Sequence, residues 1–497
     1  MRQTLRRSCN ACAQSKHSCD LRTPRCSRCA KRQVQCVYAN EPLSAPDPAV
    51  PERCDSGAIP PSTEGSGALT GYRFGALDPF ESYPQTRLPR EHVQRLIHSF
   101  LHKIAFQYYP LDLNASTNPF LVSWWPLALG DPALFHVSLQ TACLDEELLA
   151  QRGFRTSEML MADSVALLRR KVEDATLAVH DGTMNSVITL AAIEFGKGNT
   201  KISDMHVDGA RRLVSMRGGI NAVRQTSPLT ARMVSWVSMI VTGHPQFDTQ
   251  DDDGMGNGIP PIAEWQLDPS MSEDDLPELG DIEVDFPVRN AFIRLRNVFR
   301  RAQLVPLSTT KLHDLTCFVV HRLLLSADTP YSQPSPITEC IRYGIILYMF
   351  LIQGTTYFSH TVMLNTLVER FMDHVRLLES TRHLCGSLDI WYLTAGMAAS
   401  AGTENYPFFL ERAQALATSM ELESWDGILY HIRSVLWLEA PQSEHIFRAH
   451  WETLLGVAYP STPADLMLSS SSNIVDTLVL PSPYSSPTIS SVEEDRL

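Results

Sequence analysis

The sequence predicts two structural parts of unequal size: a small N-terminal module of two short helices held together by its cysteines, and a large all-α body. Three observations carry this division. Six of the eleven cysteines in 497 residues fall between Cys9 and Cys36. Residues 41–90 hold nine prolines among many Ser and Gly, which reads as an extended linker. From about residue 91 to 457, apolar residues recur at helical spacing and no alternating, strand-like run competes with them.

The first element is the cysteine module, residues 1–40. Cys9, Cys12, Cys19, Cys26, Cys29 and Cys36 form the pattern C-x2-C-x6-C, a six-residue connection, and C-x2-C-x6-C again. A C-x2-C pair turns both thiolates onto one metal, and a cysteine about two helical turns on returns as a third ligand. Each half is therefore one thiolate short of a closed tetrahedral zinc site. Six sulfurs satisfy two four-coordinate ions only if two of them bridge, one from each half. The alternatives fit less well. Three disulfides require an oxidising compartment. An iron–sulfur cluster, or a single zinc, leaves two cysteines over. No apolar stretch follows the basic N-terminus, so no export signal is read and a reducing compartment is expected. The other cysteines, Cys54, Cys143, Cys317, Cys340 and Cys385, show no pairing logic and read as buried small residues or, for Cys54, a free thiol.

Charge sets this module apart. The chain carries a net −13, yet residues 1–40 hold nine Lys and Arg against the single acid Asp20. The rest holds 33 cations against 54 acids. A basic head on an acidic body suggests that the head faces a polyanion. Six thiolates and two Zn2+ lower the folded head's charge to about +6, which is still strongly basic.

Residues 9–36 resemble the fungal Zn2Cys6 binuclear-cluster family of DNA-binding transcription regulators; Asp20 and Pro24 also match its pattern. The resemblance implies that Cys9 and Cys26 bridge the two zinc ions. It places the segment 10–18 against the major groove of double-stranded DNA, with Lys16 reading a guanine edge of a CGG-type triplet and His17 beside it. Two positions that hold phosphates in the family are Ala13 and Ser18 here, and Arg7, Arg22 and Arg25 are the expected compensation. A nuclear location and control of RNA polymerase II genes, specialised-metabolite clusters among them, follow as family expectations.

The body comes next. Met161, Val165, Leu168 and Val172 fall on one helical stripe, and Ile188, Ala191, Ala192 and Phe195 on another; Gly182 and Gly218–Gly219 read as stops between helices. Tyr343–Ile352 is an apolar run of ten, too short to span a bilayer, so it reads as a buried helix and no membrane is expected. LDPFESYP (Leu77–Pro84), Asn118–Ala142 and HVDGARRLVSMRGG (His206–Gly219) resemble the fungal-specific transcription factor domain. That implies a regulatory helical region of residues 91–457 that meets coactivators or other transcription machinery. The prolines of 41–90 exclude a heptad coiled coil, leaving a monomer on DNA or a homodimer through the body.

No enzyme is expected. His206 has no partner at metal-site spacing, and His445 and His450 are five apart rather than four. Asp248–Gly258 imitates a calcium loop but places Thr249 and Pro260 where acids are needed. Residues 247–287 hold thirteen acids and no Lys or Arg, and read either as a solvated insertion or as an activation segment. The Ser/Pro-rich tail, 458–497, is the second activation candidate and is expected to be disordered. The function expected is a sequence-specific DNA-binding regulator; the alternative, prompted by Ala13 and Ser18, is a zinc-stabilised scaffold or co-repressor with weak DNA specificity.

Overall fold

A computed structural model describes residues 11–12, 15, 26–34, 83–107, 114–151, 153–267, 282–327, 335–354, 356–381 and 386–456. Cys9, Cys19, Cys36, Cys54, Cys385, Arg7, Ala13, Lys16, His17, Ser18, Arg22 and Arg25 lie outside the described residues, as do most of the 41–90 linker and the 458–497 tail. The chain divides into two units, Met1–Gly65 and Ser66–Leu497. In the first, the helix with described bounds is α1, Ser27–Arg32.

The second unit is helical, and its described residues form no sheet beyond one isolated bridge, Thr249 to Ile259. It opens with α2 (Arg90–Ser99), whose path widens into a π-turn at Phe100–Ile104. A second π-turn at Phe120–Trp124 leads into α3 (Trp125–Gly130). Then come α4 (Pro132–Ala150), α5 (Arg155–Val172), α6 (Asp181–Gly196), α7 (Thr200–Met216), α8 (Ile220–Thr226) and α9 (Pro228–Thr242). The second half runs through α10 (Phe286–Ala302), α11 (Thr309–Ala327), α12 (Pro336–Gln353), α13 (Thr361–Glu379) and α14 (Ser387–Ala399). It ends with α15 (Tyr406–Ser419), α16 (Trp425–Val435) and α17 (Pro441–Leu454). Helices α4, α6, α12 and α14 are buried along most of their length, and the others pack around them. Tyr343–Ile352 lies inside α12 with nearly every side chain buried. No helix among the described residues is long and apolar enough to cross a membrane.

Gly218 and Gly219 stop α7 as expected. Both take positive φ (+96° and +97°), and the Gly219 N–H reaches back to the Val214 carbonyl at 2.9 Å. Gly182 does not stop a helix. It sits in the first turn of α6, where a Cβ would collide with the Asp131 carboxylate. That carboxylate caps α4 by accepting from Ala133 N and Leu134 N at 3.1 and 3.3 Å, and it pairs with Lys171 of α5. The missing side chain therefore lets three helices meet. The face that α5 buries is also shifted from the apolar stripe. Ser157, Leu160, Ser164 and Leu168 are buried, whereas Val172 is exposed, because small serines let α4 approach closely.

The α12–α14 crossing uses the same device. A Cβ on Gly344 would lie 2.8 Å from Trp391 Cζ3. Where α14 meets α13 and α15, one on Gly396 would strike Phe409 and lie 2.9 Å from Phe371 Cε1. Substituting Gly396→Ala overpacks this contact and lowers stability by about 1–3 kcal/mol. A urea titration followed by circular dichroism checks it; an unchanged midpoint refutes the close-approach reading.

Two fully buried histidines, His313 and His321, and the half-buried His450 make the body acid-sensitive. Burial pulls His321 and His450 down to about 4 and His313 to about 3. In the unfolded chain each titrates near ~6.5. As pH falls below that value, the unfolded state binds protons that the native state refuses, so stability is lost down to about pH 4. Thermal melts across this range show a falling Tm, and His321→Gln flattens the slope. An identical slope in the variant removes His321 from the account.

Candidate metal centre

In the head, α1 begins at Cys26, whose backbone is extended (φ −62°, ψ 149°) and whose Sγ accepts from Cys29 N at 3.4 Å. This is the geometry of a helix N-cap, with sulfur in place of the usual hydroxyl. It places the first and fourth residues of C-x2-C on the same side of the turn, and Cys29 is the one buried residue of the helix. Gln33 then closes α1 in the left-handed region (φ 51°), with Val34 N reaching Cys29 O at 3.2 Å. The result is a short, doubly capped turn that presents two sulfurs to one side and Lys31 and Arg32 to solvent.

Cys12, from the first half of the repeat, meets this pair. Its Sγ lies 3.7 Å from Cys26 Sγ, and the three sulfurs of Cys12, Cys26 and Cys29 all lie within 4.8 Å of one another. Four thiolates around one zinc at about 2.3 Å have tetrahedral edges of about 3.8 Å. A disulfide would bring the sulfurs to about 2.05 Å. The spacing fits shared metal ligation and excludes a bond between them. The same three cysteines, with Ala11 packed against them, constitute the buried apolar cluster of the described head. The sulfurs occupy the place of a hydrophobic core, so a metal ion bound to them would supply the folding free energy that a module this small lacks.

Cysteines in the body behave differently. Cys143, Cys317 and Cys340 are buried singly, and burial pushes the Cys143 and Cys317 thiols up to about 12. Cys317 and His321 stand one helical turn apart, with Sγ 3.7 Å from Nδ1. They resemble a nucleophile and base, but the same Nδ1 lies 2.7 Å from the Cys317 carbonyl and both side chains are sealed in the core. A thiol raised so far is the opposite of an activated one.

The other chemical candidates are absorbed by structure. His450 Nδ1 faces the Tyr406 hydroxyl at 3.2 Å, and burial lowers the pKa of His206 on α7. In the calcium-like loop, Asp251 accepts from its own backbone, Asp253 N at 3.1 Å and Met255 N at 2.7 Å. Asp252 accepts from Trp265 Nε1 at 3.0 Å and Asn290 Nδ2 at 2.7 Å, and pairs with Arg322 at 3.2 Å. Residues 247–267 are therefore partly packed into the body: Ile259, Ile262 and Trp265 are core residues, while Asp251 and Asp253 are exposed.

One polar cluster escaped sequence reading. The buried Asp314 carboxylate of α11 is gripped by Arg224 of α8 and Arg232 of α9, each through two hydrogen bonds. Its partners lie 90 and 82 residues away, so no local signal announces it.

Residues 7–45 match the fungal Zn(2)-Cys(6) binuclear cluster domain, and residues 95–271 match the fungal specific transcription factor domain. No curated protein and no solved structure matches the chain. The helical body continues beyond the matched region to Leu454. Neither domain family is enzymatic. The chain thus carries a fungal Zn(2)-Cys(6) binuclear cluster domain, with a cysteine cluster fit for zinc, followed by a fungal specific transcription factor domain on a helical body.

Proposed function

We propose that the chain is a nuclear regulator of RNA polymerase II genes that recognises CGG-type sites in double-stranded DNA through a head holding two zinc ions. The observation that carries the proposal is the meeting of Cys12 from one half of the repeat with Cys26 and Cys29 from the other. In this reading Cys9 and Cys26 bridge, and Cys12, Cys19, Cys29 and Cys36 complete the two tetrahedra. Cys26 suits a bridge because it stands 3.7 Å from Cys12 while capping the turn that carries Cys29. Lys16 and His17 read base edges, and Arg7, Arg22 and Arg25 hold phosphates. Residues 41–90 tether this head to the regulatory body, and the genes controlled include a specialised-metabolite cluster.

The test is fluorescence anisotropy of the zinc-loaded full chain on CGG-bearing and scrambled duplexes at matched salt. CGG duplexes bind about tenfold tighter or more, since one well-made guanine contact discriminates by that much. Equal affinities overturn specific readout. Substituting Ala13→Arg with Ser18→Lys tightens binding and steepens the log K against log salt slope by about 2 counterions. Those two residues also motivate the second reading, a zinc-stabilised scaffold or co-repressor. Binding that appears only after the double substitution selects it.

A further inference from the structure

The body is acidic, yet α10 (Phe286–Ala302) carries five arginines and no acid. At ~100° per residue they divide into two faces. Arg294 and Arg301 lie together and bind backbone: Arg294 Nη1 donates to the Trp265 carbonyl at 2.7 Å and Arg301 Nη1 to the Glu264 carbonyl at 3.3 Å. Arg289, Arg296 and Arg300 fall on the other face, within about 40° of one another, with Ile293 among them. Arg300 is exposed and the other two are half-buried; none of the three is without a partner.

We propose that this second face is a docking surface for an acidic peptide, and that its occupant is the chain's own segment 268–281, whose placement the structure does not describe. The argument is charge complementarity and tethering. The segment holds six acids, Asp268, Glu273, Asp274, Asp275, Glu278 and Asp281, and no Lys or Arg. It departs from Leu267, next to the carbonyls that Arg294 and Arg301 bind, and returns at Ile282, four residues before α10 begins. Both tethers are fixed, because Trp265 and Val284 are core residues and Asp285 N donates to Thr338 Oγ1 at 3.2 Å. Fourteen residues reach up to ~46 Å, whereas the stripe from Arg289 to Arg300 spans only about 17 Å. Such short tethers put the carboxylates at millimolar effective concentration over the guanidinium groups. The surface holds the most acidic part of 247–287, so a coactivator reading that segment must compete with α10 for it.

Limited chymotrypsin digestion of the zinc-loaded full chain tests this, with cuts at Met271 and Leu279 located by mass spectrometry. The proposal expects slow cutting at about 0.05 M NaCl and roughly tenfold faster cutting at about 0.5 M, where exposed pairs are screened. The triple variant Arg289→Glu, Arg296→Glu, Arg300→Glu cuts fast at both salts. Adding Glu273→Lys, Asp274→Lys and Asp275→Lys to it restores protection; because this sextuple chain re-pairs the charges, a folding defect of the triple variant cannot imitate the result. Equal cutting of wild type and triple variant, or no rescue in a sextuple chain with native circular dichroism, overturns the proposal. So does a chain with 268–281 replaced by a Gly/Ser linker that fails to bind a synthetic 268–281 peptide.

Discussion

Replacing Cys26 with serine abolishes zinc loading of the head and reduces DNA binding to the nonspecific level. The magnitude follows from where the sulfur stands. Structural zinc binding supplies on the order of 10–16 kcal/mol to a small metal-folded module, far more than its few apolar contacts. Cys26 lies between Cys12 and Cys29, and its Sγ also caps α1. Serine preserves the cap, since a hydroxyl accepts from the N3 amide as well as sulfur does. Any loss of function in Cys26→Ser is therefore a loss of metal and not of the helix end. If Cys26 bridges, its removal strips a ligand from both ions, whereas Cys12→Ser strips one. Native mass spectrometry of the full chain distinguishes these cases. Cys26→Ser carries no zinc, Cys12→Ser retains a fraction, and Cys143→Ser keeps the full complement because that thiol is isolated in the body. A Cys26→Ser chain that keeps two zinc ions and full affinity for a CGG duplex refutes the assignment. A strong chelator reproduces the Cys26→Ser phenotype and leaves the helical signal of the body intact, because the body's fold uses none of these sulfurs.

The head was legible because its determinants are local. A C-x2-C pair is one turn of chain, and its meaning does not depend on residues far away. The apolar run at Tyr343–Ile352 and the Gly218–Gly219 stop were legible for the same reason. Errors arose where a residue's role is set by a distant neighbour. Gly182 looks like a helix breaker until Asp131, 51 positions earlier, needs the space of its missing side chain. Ser157 and Ser164 look solvent-facing until α4 presses on them. Asp252 looks solvated until it meets Trp265, Asn290 and Arg322. Periodicity locates a helix and its approximate face; it does not reveal which polar group another helix will satisfy.

Asp314 is the extreme case, and substituting it with asparagine destabilises the body by about 3–5 kcal/mol. Its carboxylate side chain is 7% exposed and accepts four hydrogen bonds: from Arg232 Nε and Nη2 at 2.7 and 2.9 Å, and from Arg224 Nη1 and Nη2 at 3.2 and 2.8 Å. Burial alone would push this carboxyl up. The hydrogen bonds from Arg232 and Arg224 overcome that and hold it well below the ordinary carboxylate range. Asparagine keeps the shape but leaves two half-buried guanidinium groups facing each other without a counter-charge. The cost is that of uncompensated charge, so it is largely recovered when the cations go too, in Asp314→Leu with Arg224→Met and Arg232→Met. Asp373→Asn is the control. Its pair with Arg376 is exposed at 76% and 52%, and such pairs contribute at most about 1 kcal/mol. The pH dependence has a fixed sign. A carboxyl with a depressed folded pKa stabilises fully above its unfolded value near ~3.9, and that stabilisation is lost as pH falls from about 5 downward. Asp314→Asn therefore narrows its gap from wild type at pH 3 and widens it at pH 7. Urea midpoints for the four chains at both pH values measure this. If Asp314→Asn matches Asp373→Asn at pH 7, the three-helix junction of α8, α9 and α11 does not depend on the carboxylate.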